Sequence, residues 1–255
     1  MGTPFTFAHP LYAIPLTLVK PRYWSISGLI LGSMSPDFEY FLALEPRQTI
    51  GHTFKGLLVE AIPLSIIILV LVHLCIQSFA AHLPSIAQLD WRAYKRIKLM
   101  DLRSYRSWII FLLSVVVGFY SHLFVDAFTH ESGYFVQRHQ TLQNEYGVAI
   151  PLYQLLQYLF SLFGMMVEFV LLMWMLFKTP ISTGVVNVKR TSWFAKIKYW
   201  SIVLIVAVGI VAAKLAMTTS TNTLGILVVA PISGVLAGII VASLFGRGEM
   251  RIQRK

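Results

Sequence analysis

The chain alternates long apolar runs with short polar connections, and the runs have the length of membrane spans. Five of them, at residues 57–79, 108–128, 151–177, 200–217 and 224–245, each hold 18 or more mostly apolar residues. At about 1.5 Å per residue, such a run crosses a hydrocarbon core about 30 Å thick as an α-helix. A helix satisfies its own backbone in lipid, so the pattern predicts an all-α, polytopic transmembrane bundle. Trp108, Tyr153, Tyr158 and Trp200 fall towards the ends of runs, where amphipathic rings favour the interface. Pro63 and Pro231 lie inside runs, where neighbouring helices satisfy the backbone groups that proline frees.

The first 44 residues break the pattern. Two shorter apolar pieces, 4–19 and 23–44, flank Lys20-Pro21-Arg22. Pro21 forbids one continuous helix, which predicts an N-terminal helical hairpin with Lys20 and Arg22 snorkelling from its tip to the interface. The hairpin would bring His9 and Asp37 to similar depth near the outer surface. The alternative is a cytoplasmic arm followed by a single span. The hairpin gives seven membrane-crossing pieces, the arm six.

Composition settles the class. Apolar residues make up 56% of the chain and charged residues 13%, against about 25% charge in a soluble domain. Mean hydropathy is +0.69. No linker, repeat or low-complexity tract divides the sequence, so residues 1–255 read as a single membrane domain. The net charge of +10 would suggest a nucleic-acid partner, but the distribution of the cations excludes it. Arg92, Lys95, Arg96, Lys98, Arg103 and Arg106 occupy one connection; Lys178, Lys189, Arg190, Lys196 and Lys198 another; Arg247, Arg251, Arg254 and Lys255 the tail. The intervening connections hold Arg47, Lys55 and Arg138, a ratio of fifteen to three. Lysine and arginine stay on the cytoplasmic side, which predicts a cytoplasmic C-terminus, outward loops at 45–56, 129–150 and 218–223, and residence in the cell membrane. A lone Cys75 excludes an intramolecular disulfide and a CxxC metal knuckle. No cationic region precedes the first apolar piece and no small-residue cleavage motif follows it, so no cleaved signal peptide is expected.

With that topology, the polar residues that could carry chemistry gather at the outer end. His122, Asp126 and His130 are spaced i, i+4, i+8, which stacks an imidazole and a carboxylate on one helix face about 6 Å apart. Each ionisable group in a span costs about 2.5–3.5 kcal/mol on insertion scales, so it needs a partner. Ser35-Pro36-Asp37-Phe38-Glu39 places two acids where a short limb reaches the outer face, and Gly51-His52-Thr53 stands just before the first long run. His9 joins them if the hairpin forms. Taken singly these are ordinary features: Pro-Asp suits a turn, a lone His suits an interface, and a His–Asp pair can simply lock two helices. Their convergence on one side is what points to a metal. The candidate ligands are His9, Asp37, His52, His122, Asp126 and His130, a nitrogen and oxygen set suited to Zn²⁺ and also to Mn²⁺ or Fe²⁺. Six candidates would allow a two-metal site activating water for attack on a phosphoryl or acyl centre. Glu39 and Glu131 are the general-base candidates, Glu39 preferred. Gln154 and Gln157 could donate to metal-bound carboxylates. His73 and His82 fall at the wrong end of their span. Lys214 is expected to snorkel, with Glu168 as a conceivable partner. No Walker loop, GxSxG elbow, dinucleotide fingerprint or HExxH occurs.

The same residues carry a resemblance. Phe5-Thr6-Phe7-Ala8-His9-Pro10, Gly32-Ser33-Met34-Ser35-Pro36-Asp37-Phe38-Glu39-Tyr40-Phe41 and His52-Thr53 resemble a bacterial membrane family described only as a domain of unknown function, number 4184, through about residue 180. More distantly, Pro36-Asp37, Gly51-His52-Thr53 and the stretch from Gly118 through His122 to Asp126 are similar to inner-membrane proteins described as metal-dependent hydrolases, some as LexA-binding. That group pairs its Pro-Asp with a His-Arg-Gly-x-Thr-His-Ser element, and here Thr49, Ile50 and Gly51 stand where its upstream His would be. The resemblance therefore implies a metal site with one ligand fewer. The overall expectation is a divalent-metal hydrolase at the outer membrane face, acting on a lipid-like or phosphate-containing substrate. The alternative is a non-enzymatic protein that binds or conducts an ion, or whose polar cluster welds helices.

Overall fold

The computed structural model describes residues 6–147, 149–180, 187–189, 191–246 and 251–253. Arg190, Arg247, Arg254 and Lys255, counted in the charge asymmetry, lie outside the described residues, as do Pro4 and Phe5. Five helices are long and apolar enough to cross a membrane: Phe54–His82, Tyr105–Thr129, Leu152–Phe177, Trp193–Met217 and Thr223–Phe245. All five anticipated spans are present. Trp193–Met217 starts seven residues ahead of its apolar run, because Ser192 caps it by accepting from the Ala195 N–H. Leu152–Phe177 exposes Leu162, Phe163, Phe169 and Trp174, the surface of a helix solvated by lipid rather than water. Among the described residues, extended structure is limited to a three-residue antiparallel pairing of Asn187–Lys189 with Arg251–Gln253 and an isolated Glu145–Pro151 bridge.

The N-terminal region forms the two short limbs of a hairpin. Its first limb is interrupted: a Thr6–Ala8 turn, then Pro10–Ala13 and Leu16–Val19, with Pro10 and Pro15 each at a helix start where a missing N–H costs nothing. Pro21–Tyr23 forms the connecting turn, and Ile26–Met34 the second limb. That limb runs on through a Ser35–Asp37 turn into Phe38–Ala43.

By contacts the chain divides into two compact units. The first comprises Met1–Glu39, Arg47–Ile67 and Met100–Val170. Its framework is a parallel pairing of Ile26–Met34 with Tyr105–Thr129, made close by glycine on both sides. A Cβ on Gly28 would lie 2.6 Å from the Phe111 carbonyl oxygen; one on Gly118 would lie 2.6 Å from the Leu29 oxygen; one on Gly32 would strike the Val115 oxygen. Only hydrogen at those positions lets the two backbones approach, the small-residue packing that joins helices in lipid. Ser114 Oγ adds a hydrogen bond from the Ser25 N–H, 2.9 Å.

The second unit comprises Tyr40–Pro46, Ile68–Leu99 and Leu171–Lys255. Trp193–Met217 and Thr223–Phe245 pack along their length, with Gly234 against Ala207 and Gly238 against the Val203 oxygen. Several residues that the sequence places in solvated connections are buried here. Lys196 pairs with Asp90 at 2.6 Å and donates to the Leu83 carbonyl and Ser85 Oγ. Arg92 donates to the carbonyls of Leu176, Phe177 and Thr179, closing the end of Leu152–Phe177. Lys214 pairs with Glu45 at 3.2 Å, so its partner is an acid outside the spans rather than Glu168.

Candidate metal centre

The first unit gathers His9, Asp37, His52, His122 and Asp126 into one buried cluster. Each arrives by a different local device. His122 and Asp126 lie one turn apart near the end of Tyr105–Thr129. Asp37 is the last residue of the Ser35–Asp37 turn, where Pro36 ends the preceding helix and swings the carboxylate inward. His9 follows the Thr6–Ala8 turn. Gly164 seats that turn against Leu152–Phe177; a Cβ on Gly164 would lie 2.8 Å from the Ala8 Cβ. His52 sits in the loop before Phe54–His82, whose first turn Thr53 caps by accepting from the Gly56 N–H. The helix then passes through a π-helical stretch at Leu57–Ala61, just before Pro63.

Asp126 is the hub. Its Oδ1 lies 3.2 Å from His9 Nε2 and 3.2 Å from His130 Nδ1. Its Oδ2 lies 3.0 Å from His122 Nε2 and 3.2 Å from His52 Nε2. Asp37 lies opposite, with Oδ1 3.6 Å from His52 Nε2 and Oδ2 3.9 Å from His122 Nε2. Thr6 Oγ1 donates to that same Oδ2 at 2.5 Å, fixing the carboxylate. The His9 and His122 rings are stacked, centroids 3.9 Å apart. Exposure is 2% for Asp37, 1% for His122 and 7% for Asp126. Two sets of donor atoms, His9–His122–Asp126 and Asp37–His52–His122, each fall within 4.8 Å of one another. Both sets use His122, and one lone pair serves one cation, so the two sets offer overlapping positions for a single ion.

The donor chemistry fits a cation. His122 Nδ1 donates to the Ser33 carbonyl at 2.7 Å, which fixes the tautomer and turns the Nε2 lone pair towards the carboxylates. The close helix pair creates this bond, since Ser33 lies on Ile26–Met34. Two buried carboxylates facing three imidazoles need positive charge among them, because an uncompensated buried anion costs several kcal/mol. A cavity of about 10 Å³, lined by His9, Asp37, Asp126 and His130 among others, adjoins the donors.

Two of the anticipated residues stand apart. His130 caps the end of Tyr105–Thr129 and belongs to neither donor set. Gln157 donates its amide N–H to His130 Nε2 at 3.1 Å, so the other nitrogen, Nδ1, carries the proton and holds Asp126 Oδ1. This arrangement makes His130 a support for Asp126, and turns Gln157 towards an imidazole rather than a carboxylate. Glu39 faces the 47–53 loop instead of the cluster. Its carboxylate accepts from the Thr49 hydroxyl, the Thr49 N–H at 2.6 Å, the Ile50 N–H at 2.9 Å and the Gly51 backbone. A carboxylate so committed has little basicity left, and its work here is to hold the loop that carries His52. Gly51 completes that seat, as a Cβ there would strike the Pro36 carbonyl oxygen. His73 and His139 stay outside both donor sets, and His82 instead stacks on Tyr199 with centroids 4.3 Å apart.

The missed contributors are Thr6 and Ser33. A threonine in an apolar limb and a backbone carbonyl give no signal of their own in a sequence.

Fold and site together define an all-helical membrane protein with a buried His/Asp cluster that could hold one metal ion. The chain belongs to the family described as Domain of unknown function (DUF4184), which it matches over residues 3–244. The match covers the last two spans, well past residue 180, where the sequence resemblance weakens. No curated protein and no solved structure matches the chain.

Proposed function

We infer that the cluster binds one divalent cation, Zn²⁺ by its donor set, and that the protein is a membrane hydrolase working at the extracytoplasmic face. The observation that carries this is a cage of two donor sets that share His122, His9–His122–Asp126 and Asp37–His52–His122, with Ser33 and Thr6 orienting the ligands. A cation held by His9, Asp37, His52, His122 and Asp126 would polarise a phosphoryl or acyl oxygen and make a bound water more acidic. The chain's own residues do the rest. His130 and Gln157 hold Asp126 in place, and the buried stack of His9 on His122 keeps the cage from relaxing. Glu131, at the mouth beside His130, takes the proton-accepting role that Glu39 is too heavily hydrogen-bonded to fill. The likeness of Pro36-Asp37 and His122 to Asp126 to inner-membrane proteins described as metal-dependent hydrolases supports the reaction class. A site at the border of the spans favours an amphiphilic substrate.

The test is product release. Zn²⁺-loaded protein in nanodiscs, given labelled phospholipid and polyprenyl-phosphate substrates, is expected to liberate a water-soluble fragment. Chelation or Asp37→Ala should abolish the release. Release that survives both treatments would refute the metal-dependent mechanism. The orientation has its own check: a reporter fused at Lys255 should read cytoplasmic, and one in the 131–145 loop external. External labelling of the 92–106 connection would reverse the site's side.

A second reading has one observation in its favour. The nitrogen–oxygen separations of 3.0–3.2 Å around Asp126 are hydrogen-bond lengths. On that reading the cluster is a protonated His–Asp network that locks the hairpin to Tyr105–Thr129.

A further inference from the structure

Beside the cluster opens a basin of about 500 Å³ that ligation does not use. Its walls are Glu131, Ser132 and Gln137 from the segment after Tyr105–Thr129, and Tyr153 and Gln154 from the first turn of Leu152–Phe177. His130 and Gln157 line both this basin and the small inner cavity, so the pair forms the partition between them.

The lining restricts the ligand. Among the described residues, no Lys or Arg lines the basin. An anionic group entering it would meet Glu131 with no fixed counter-charge, and an alkyl chain would cover amides and hydroxyls without bonding to them. The glutamines are held by their nitrogens: Gln137 donates to the Glu131 carbonyl at 2.7 Å, Gln154 to the Tyr158 hydroxyl at 2.9 Å and Gln157 to His130 at 3.1 Å. Each amide keeps its oxygen as an acceptor and a second N–H as a donor, joined by the Glu131 carboxylate and the Ser132 and Tyr153 hydroxyls. Such a wall calls for a ligand that both donates and accepts, as hydroxyl groups do, whereas a primary ammonium group only donates. A quaternary ammonium group donates no hydrogen bonds and is usually held by a cage of Trp, Tyr or Phe rings, whereas Tyr153 is the one such residue lining the basin among the described residues.

We propose that the basin binds an uncharged, hydroxyl-rich group, a glycosyl or glycerol moiety, and presents the adjoining bond through the His130–Gln157 partition to the cluster. The identity of the ligand rests on the basin alone; its role as part of a substrate rests on the hydrolase reading. The source of the group is either a membrane glycolipid or a free sugar.

The experiment measures saturable binding to protein in phosphatidylcholine nanodiscs, over empty discs, of octyl glucoside, free glucose, octyl phosphate and octyl trimethylammonium. It is done on chelator-treated wild type and on Asp126→Ala, so that a bound cation contributes nothing. Octyl glucoside should bind, with octyl phosphate and the ammonium at least about tenfold weaker. Gln154→Leu should weaken the glucoside about tenfold, the loss of one or two hydrogen bonds, while its cation content stays that of wild type. Tyr153→Leu serves the same purpose should Gln154→Leu not fold. Glucose binding as well as octyl glucoside identifies a soluble source, and weaker glucose binding a glycolipid. Tighter binding of the phosphate or ammonium, or no effect of either variant, overturns the proposal. Glucoside binding by a protein that holds no cation would retain the basin and reject the hydrolase reading.

Discussion

Asp126→Ala is expected to empty the centre of its cation, the largest functional effect of any single substitution here. Both oxygens of Asp126 are in use, Oδ1 towards His9 and His130 and Oδ2 towards His122 and His52, so one truncation strips the hub from four imidazoles. Loss of a mere outer partner of a ligand costs about 10–100-fold in affinity, and loss of the ligand itself should exceed that. Elemental analysis of purified protein should find one divalent cation per wild-type chain and none in the variant. Insertion should be unchanged, because it depends on apolar runs that the substitution does not touch. The locking network predicts something different: a wild type without metal, and a variant destabilised by about 3–5 kcal/mol because buried imidazolium loses its counter-ion. Cation content and melting temperature, measured together on the two proteins, separate the readings.

Much of the fold is legible in the sequence, because lipid imposes a harsh filter. A 20-residue apolar run has few alternatives to a spanning helix, so the centres of all five spans could be placed. Their ends were less legible. Ser192 caps a helix that starts in polar sequence, and what justifies its first turns is the buried pairing of Lys196 with Asp90, a contact between residues 106 positions apart. Long-range partners of this kind, Asp90 for Lys196 and the carbonyls of Leu176, Phe177 and Thr179 for Arg92, explain why both read as solvated cations and turn out buried. For the site, spacing alone brought His122 and Asp126 together, since helical geometry is local. Bringing Asp37 and His52 to them required the alternation of the apolar runs, which puts residues 37, 52 and 126 at the same end of successive runs. Orientation within the site could not be read. Glu39 and Asp37 are two residues apart beside the same proline, and only the packing of the 47–53 loop shows that one faces the loop and the other the cluster.

The geometry of the centre depends on a close helix contact set by glycines rather than ligands, and Gly118→Leu should show it. Gly118 is one turn before His122, on the face that meets Ile26–Met34. A Cβ at Gly118 would lie 2.6 Å from the Leu29 oxygen, 2.7 Å from the Ser33 nitrogen and 3.0 Å from the Gly32 carbonyl carbon. All three are backbone atoms, which cannot swing aside as a side chain can, so the helices must separate. Overpacking typically costs about 1–3 kcal/mol for added methylenes, and a whole leucine against backbone should reach or pass the top of that range. The separation also lengthens the 2.7 Å bond from His122 Nδ1 to the Ser33 carbonyl, the contact that fixes the tautomer of a central ligand. Two losses are therefore expected together: a fall in melting temperature and weaker cation binding, though no ligand has changed. Gly209→Leu is the control, because a Cβ there meets nothing within 4 Å. Leucine is the better helix former by several tenths of a kcal/mol, so Gly209→Leu should melt at or above the wild-type temperature. Equal melting of the two variants would mean that the glycines of Ile26–Met34 and Tyr105–Thr129 do not set the helix separation. Melting that falls with cation affinity untouched would mean that the Ser33 bond does not orient His122 for ligation.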